Sequence, residues 1–290
     1  MKYSIFPGCL VSYRFPSYEK SANLVLKRLG YNVTPINSFS CCGSQILESI
    51  NERDLHLLNA RNLSIAQDLE INTLITLCGS CTYIIKKSLS ILLEDRLELM
   101  KVNEKLSDLD LQFSPKKKIN VTHIAEFLNK ESIFDNFRKS IIKSIDINIA
   151  IQNPCMLLRP NRISNLELKD RLMIYKLMKE CGANIISYKY TNRCCGGTML
   201  AFDKPIAKDL GVLRYDILRE LNVDLLVVGC PNCQLMYSIY QNMLNDISIP
   251  SIFFTQLIGL ALDYSINEMA LERNIQSDKI IEIINKSKVD

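Results

Sequence analysis

Short apolar runs alternate along the chain with longer stretches whose apolar residues recur at three- and four-residue steps. Residues 3–6 form one such run and lead into Pro7-Gly8-Cys9, and residues 147–151 form another that leads into Asn153-Pro154-Cys155. The spacing predicts helices over 19–30 and 168–182, with Gly30 and Gly182 where a left-handed C-terminal cap belongs. Residues 32–36 and 184–188 predict second strands, and 54–69 and 206–221 predict second helices. Residues 74–77 and 225–228 predict buried strands, and 119–122 and 251–254 predict the last ones. Residues 94–118 carry charge and read as a solvated helix to about Leu106, then as a turn at Ser114-Pro115. Strands alternating with helices predict an α/β architecture built on parallel sheets.

The cysteines show that this pattern occurs twice. Cys9 is followed by Cys41-Cys42-Gly43 and by Cys78-Gly79-Ser80-Cys81. Cys155 is followed by Cys194-Cys195-Gly196 and by Cys230-Pro231-Asn232-Cys233. The steps are 32, 37 and 3 residues in the first half and 39, 36 and 3 in the second, and ten of the eleven cysteines fall into the scheme. The expected organisation is two pseudo-symmetric α/β halves from an internal duplication, residues 1–145 and 146–290. Each paired cysteine lies at or after the C-terminal end of a strand, where ligands bind in parallel sheets. Five sulfurs are therefore expected to converge in each half.

Composition narrows the class. The 290 residues are 48% hydrophobic and 23% charged, which excludes a disordered or fibrous chain. Lys and Arg number 35 against 31 Asp and Glu, a formal charge of +4, and no basic run exceeds Lys116-Lys117-Lys118. A nucleic-acid partner is not expected. The first residues read as a strand, not as a leader, and no stretch approaches the ~18 apolar residues of a membrane span. The expectation is a soluble cytoplasmic chain, where thiols stay reduced and clustered cysteines more often bind metal. Ten ligating thiolates would offset much of the positive excess.

Three chemistries compete for the cysteines. A structural zinc site needs four ligands, whereas each half offers five cysteines, and both histidines, His56 and His123, lie in the first half. A redox dithiol needs one C-x-x-C and leaves the other paired cysteines unexplained. An iron–sulfur cluster accounts for cysteine-only ligation from loops at strand ends, although a standard cluster takes four thiolates and leaves a fifth.

The duplicated pattern resembles the CCG domains of the B-type subunits of heterodisulfide reductase. The flanking text is similar as well: Arg14-Phe15-Pro16-Ser17-Tyr18-Glu19-Lys20, Ala60-Arg61-Asn62, Cys155-Met156-Leu157-Leu158-Arg159-Pro160, and Thr255 through Leu262. The similarity covers about residues 1–265. CCG domains also occur in subunits of other respiratory and sulfur-metabolising enzymes. The resemblance implies a non-cubane 4Fe–4S cluster in each half, in which the fifth thiolate is used. Cys9, Cys41, Cys42, Cys78 and Cys81 would hold the first, and Cys155, Cys194, Cys195, Cys230 and Cys233 the second. It further implies reduction of the mixed disulfide of coenzyme M and coenzyme B. Electrons would come from a ferredoxin-like iron–sulfur subunit that is itself fed by a flavin subunit. No Gly-rich dinucleotide fingerprint is evident, in keeping with an external electron supply. The alternative is an iron–sulfur subunit of a related sulfur-oxidising or respiratory complex acting mainly in electron transfer. The chain departs from the family at Gly43, where proline is common, and at Met156, where histidine is common. Because a disulfide takes two electrons and a cluster normally delivers one, two clusters facing a shared cleft with the substrate between them is the expected arrangement.

The remaining residues have plainer expectations. Cys181, matching Leu29, reads as an apolar structural cysteine. His123 follows the last strand of its half, opposite Phe254 in the other, and reads as structural, with a substrate role as the alternative. His56 on a charged helix is expected at the surface. Arg14 and Arg159 follow the first cysteine of each half and are candidates for an anionic group of the substrate or cluster. Gly43, Gly196 and Gly197 fit positions of positive φ or close backbone approach.

Overall fold

The computed structural model describes residues 1–158, 163, 172–244 and 249–287. Arg159 and the start of the helix expected over 168–182 lie outside the described residues. The architecture is α/β with two parallel sheets. The first has the order β1-β2-β3, formed by Tyr3–Phe6, Thr73–Thr76 and Asn120–His123. The second has the order β5-β4-β6-β7, formed by Asn184–Ile185, Asn148–Gln152, Leu225–Val228 and Ser251–Phe253. The two orders are one topology. The position of β5 is taken in the first half by Val33, which makes a single parallel bridge to Tyr3. The strands expected over 32–36 and 184–188 thus shrink to one bridge and two residues. Both lie at a sheet edge, with only one neighbouring strand to pair with.

Register carries the duplication into space. Phe6, Thr76 and His123 are aligned across the first sheet, and Gln152, Val228 and Phe253 across the second. The counterpart of His123 is therefore Phe253 and not Phe254; each stands at the N-cap of the helix that follows, Ile124–Leu128 or Phe254–Ala261. The helices expected from periodicity are present as Pro16–Arg28, Glu52–Asp68, Arg96–Ser107, Met173–Glu180 and Lys204–Arg219. Gly30 and Gly182 take φ of 86° and 83°, the left-handed caps that end two of them.

The halves pack reciprocally. Helix Pro16–Arg28 of the first half lies on Phe254–Ala261 of the second, and Met173–Glu180 of the second lies on Ile124–Leu128 of the first. Tyr18 stacks on Phe253 at 3.9 Å between ring centroids, both fully buried, and its hydroxyl donates to the Gly229 carbonyl at 3.3 Å. Ser21 and Thr255 share a buried hydroxyl contact at 2.7 Å. Among the described residues no helix is long and apolar enough to cross a membrane.

Burial places three of the residues singled out in the sequence. Cys181 is fully buried beside its cap glycine, and desolvation pushes its thiol up. His56 is buried, contrary to the surface position expected for it. Helix Gly79–Glu94 covers the inner face of its helix, so Nδ1 pairs with Ser88 Oγ at 3.1 Å and burial lowers the ring's pKa. His123 is fully buried; its Nδ1 accepts the Ala125 N–H at 3.2 Å, which places the proton of the neutral ring on Nε2. Burial first, only partly opposed by Glu126, lowers its pKa to about 4.

Two predictions follow from this burial. Cys181→Ser should cost on the order of 1 kcal/mol in a denaturant melt, because it leaves a hydroxyl in an apolar site. The His123 ring is neutral in the fold but takes a proton near pH 6.5 when unfolded. Its contribution is present above that pH and is lost as pH falls toward 4. His123→Asn, which keeps a capping oxygen, should flatten the fall in melting temperature between pH 6.5 and 4. An unchanged pH profile would remove His123 as its source.

Candidate metal centre

Strand register delivers the cysteines. Cys9 lies three residues beyond Phe6 and Cys78 two beyond Thr76; Cys155 lies three beyond Gln152 and Cys230 two beyond Val228. All four emerge at the carboxyl ends of adjacent strands. Cys78 and Cys230 each form the N-cap of the helix that follows, which begins at Gly79 or Pro231, and Cys81 and Cys233 lie in its first turn. The two N-cap thiols diverge: Cys230 is held well below its usual value, first by Cys233 and then by Cys78, and the contact with Cys230 pushes Cys78 well up. The Cys-Cys pairs come from loops pinned by neighbouring elements. Asn59 Nδ2 donates to the Cys42 carbonyl at 3.0 Å, Asn62 Oδ1 accepts the Ser40 N–H at 2.9 Å, and Arg61 donates to the Ser38 carbonyl at 3.0 Å. In the second half Gln152 Nε2 donates to the Arg193 carbonyl at 2.8 Å, immediately before Cys194.

The sulfurs meet in pairs. Cys9 and Cys41 stand 3.5 Å apart, and Cys42 and Cys81 stand 3.2 Å apart. Cys155 contacts Cys194, and Cys195 contacts Cys233, in the same pairing. Cys41 accepts the Gly43 N–H at 3.3 Å, Cys194 the Gly196 N–H at 3.4 Å, and Cys195 the Gly197 N–H at 3.3 Å. The thiol of Cys42, then that of Cys9, then the Gly43 amide hold Cys41 down to about 2, while the contact with Cys41 pushes Cys42 up to about 12. Cys194 is likewise held down to about 2, first by Cys155 and then by Cys195. Each half thus favours a thiolate at the first cysteine of its pair, and the crowding that results raises its neighbours. Among the described residues no three His, Cys, Asp or Glu side chains converge tightly enough to hold a single metal ion.

The two sets adjoin. Cys78 Sγ and Cys230 Sγ lie 3.9 Å apart, and Asn232 Nδ2 approaches Cys78 Sγ at 4.0 Å. Equivalent residues in contact mark the pseudo-two-fold axis between the halves. Close backbone approach here demands glycine. A Cβ on Gly8, whose φ is 76°, would stand 2.9 Å from Cys81 Sγ, and one on Gly79 would stand 2.8 Å from Pro154 Cβ. Gly43 and Gly196 take φ of 83° and 86°. Gly197 has an ordinary φ, but a Cβ there would run into the Asn232 carbonyl oxygen.

A cleft of 490 Å³ opens between the halves. All five cysteines of the first set line it, and the facing wall comes from the second half, through Gly197, Thr198, Leu200, Ala201, Pro231, Asn232, Leu235 and Tyr240. Leu10, Ile46, Leu47 and Leu200 make it largely apolar. None of the second set lines it, so the cleft is not shared equally by the two sets. The other candidates stand apart from it. Arg14 is exposed at the end of helix Cys9–Arg14, and Met156 packs near Tyr83 and Lys86 on another face. His123 caps its helix. The pattern gave no hint of Tyr18 or Gly8, whose roles depend on contacts across the halves, or of the burial of Arg214 beside the second set.

A donor set of cysteines alone, drawn together in pairs at helix N-termini, with glycines where a side chain would fill the cradle, fits an iron–sulfur group held by each set. The chain matches the family described as Cysteine-rich domain, CCG, over residues 3–86 and 149–238. It is 29% identical to the B-type subunit of the ferredoxin/F420H2-dependent CoB-CoM heterodisulfide reductase of Methanosarcina acetivorans, over 94% of this chain and 93% of that one. It is 23% identical to the 8-methylmenaquinol:fumarate reductase membrane anchor subunit of Wolinella succinogenes, over 94% of this chain and 96% of that one. A hypothetical protein from Helicobacter pylori shares the fold at a TM-score of 0.73 and 16% identity, with 94% of this chain and 51% of that chain covered. With both of its halves matched over more than half of its length, and the five-cysteine arrangement present in each, this chain belongs to the CCG cysteine-rich domain family.

Proposed function

We propose that the chain is the iron–sulfur subunit of a reductase complex, that residues 1–145 and 146–290 are its two CCG halves, and that it reduces a small-molecule disulfide. The observation that carries this is the cleft: the complete first set lines it, and the second set stands behind in sulfur contact through Cys78 and Cys230. Cys9, Cys41, Cys42, Cys78 and Cys81 would hold one group, and Cys155, Cys194, Cys195, Cys230 and Cys233 the other. Such clusters, of non-cubane 4Fe–4S type by the family resemblance, would supply electrons one at a time. The chain's own residues do the rest. Cys42, Cys78 and Cys81 are buried beneath the apolar lining of Leu10, Ile46, Leu47 and Leu200, so charge developing at those sulfurs is felt at low dielectric, whereas Cys9 stays exposed at the rim. The helix N-termini at Cys78 and Cys230 orient backbone dipoles toward that charge. Partner subunits, one ferredoxin-like and one carrying flavin, would bring the electrons. A mixed disulfide of the coenzyme M–coenzyme B type is the substrate suggested by the similarity to the B-type subunits of CoB-CoM heterodisulfide reductases. The similarity to a fumarate reductase subunit favours a second reading, electron transfer within a respiratory complex.

Anaerobically purified protein should contain roughly eight irons with matching sulfide, about four per set, and little zinc. Protein holding mainly zinc would sink the proposal. Cys42→Ser and Cys195→Ser should each lower iron content by about half. With an excess one-electron donor, each should also slow disulfide reduction by more than the ~10-fold expected from loss of an outer-shell contact. Full iron and full rate in either variant would exclude that half from the chemistry, whereas iron without any disulfide activity in the parent would favour electron transfer.

A further inference from the structure

The helix Lys204–Arg219 carries a guanidinium into the protein interior. Arg214 is 4% exposed, and its Nε is buried without a hydrogen-bond partner. Another guanidinium nitrogen donates to the Leu210 carbonyl within the same helix. Its planar group stands 5.2 Å from the centre of the Tyr190 ring, over which Lys189 also stands at 5.2 Å. Among the described residues Arg214 forms no ion pair. Burying a full charge without an opposite one costs far more than a ring contact returns. Its surroundings belong to the second cysteine set: the Tyr190 ring over which it stands lies four residues before Cys194, and its helix packs on the Cys-Cys loop so closely that a Cβ on Gly196 would stand 2.8 Å from the Ala207 carbonyl oxygen and 3.1 Å from Leu210 Cβ.

The first half differs at the equivalent place. Arg61 stands 19 residues after Cys42, as Arg214 stands 19 after Cys195. Arg61 is only partly buried and is used on the Ser38 carbonyl. The duplication therefore kept one arginine per half but buried only one of them.

We infer that Arg214 is the fixed counter-charge of the second cysteine set, stabilising the reduced state of the group held there and raising its potential above that of the group on the first set. The inference rests on the iron–sulfur assignment above. On one-electron reduction a cluster gains one negative charge. A buried cation nearby favours that state, and low dielectric strengthens the effect. Electrons entering the chain would then rest on the second set, behind the cleft, while the first set faces the substrate.

The test is an anaerobic redox titration of the iron-loaded chain, followed by electron paramagnetic resonance. Arg214→Gln should lower one of two midpoint potentials by the equivalent of a tenfold change in the reduction constant, ~59 mV, and leave the other in place. Arg214→Lys, which keeps the charge, should restore most of the shift, and Arg61→Gln should move neither. In Cys195→Ser, which leaves the first group alone, Arg214→Gln should have no effect on the remaining potential. Two unmoved potentials in Arg214→Gln, or equal movement of both, would overturn the counter-charge. If Arg214→Gln fails to fold, Arg214→Lys decides: a wild-type pair of potentials supports the inference, and a lowered second potential despite the retained charge overturns it. A chain that holds zinc in place of iron overturns the assignment beneath it, a result visible in the metal analysis before any titration.

Discussion

Sulfur atoms between 3.2 and 3.9 Å apart cannot all be thiolates unless positive charge stands among them. The site is built around that constraint. The fold concentrates ten thiols at the carboxyl ends of two parallel sheets, where backbone amides and helix N-termini supply only partial positive charge. One thiolate in each Cys-Cys pair is held by the neighbouring thiols and only then by the backbone amide two residues on, and those neighbours are driven up in turn. On the proposed iron–sulfur reading, metal brings the rest to the thiolate form, so that residues crowded as thiols would serve together as ligands.

Packing between the halves keeps these sulfurs in place. Helices exchanged across the pseudo-two-fold axis bury Tyr18 against Phe253, and the Tyr18 hydroxyl holds the Gly229 carbonyl next to Cys230. An interface contact thus fixes the backbone from which a cysteine of the second set departs. Gly79 and Pro154 pack at a distance that admits no additional methyl group, tying Cys78 of one set to the loop of Cys155 in the other. Neither half could keep its geometry if the other were displaced.

The duplication has not remained symmetric. The first set opens on an apolar cleft, whereas the second is set behind it, with a buried arginine alongside. Edge pairing differs as well, one half keeping a two-residue strand where the other keeps a bridge at Val33. Such drift is tolerated at an edge, where one ladder is lost, and not at β2 or β6, which pair on both sides and launch the central cysteines.

The sequence alone determined the α/β class, the duplication and the identity of the five cysteines in each half. These features are local or periodic: residues 225–228 are apolar throughout, Gly30 and Gly182 end helices, and cysteine spacing repeats along one chain. Strand ends shifted by a residue at 74–77 and 119–122, because register is decided by the neighbouring strand and not by hydropathy. Only the tertiary structure decided what depends on another element's surface. His56 follows the charged run Glu52-Arg53-Asp54 by two residues yet is buried, because helix Gly79–Glu94 lies over it. The contact of Cys78 with Cys230, the placement of the cleft on the first set and the burial of Arg214 but not of Arg61 belong to the same class. Each depends on distances between residues remote in the chain, and periodicity carries no record of those distances.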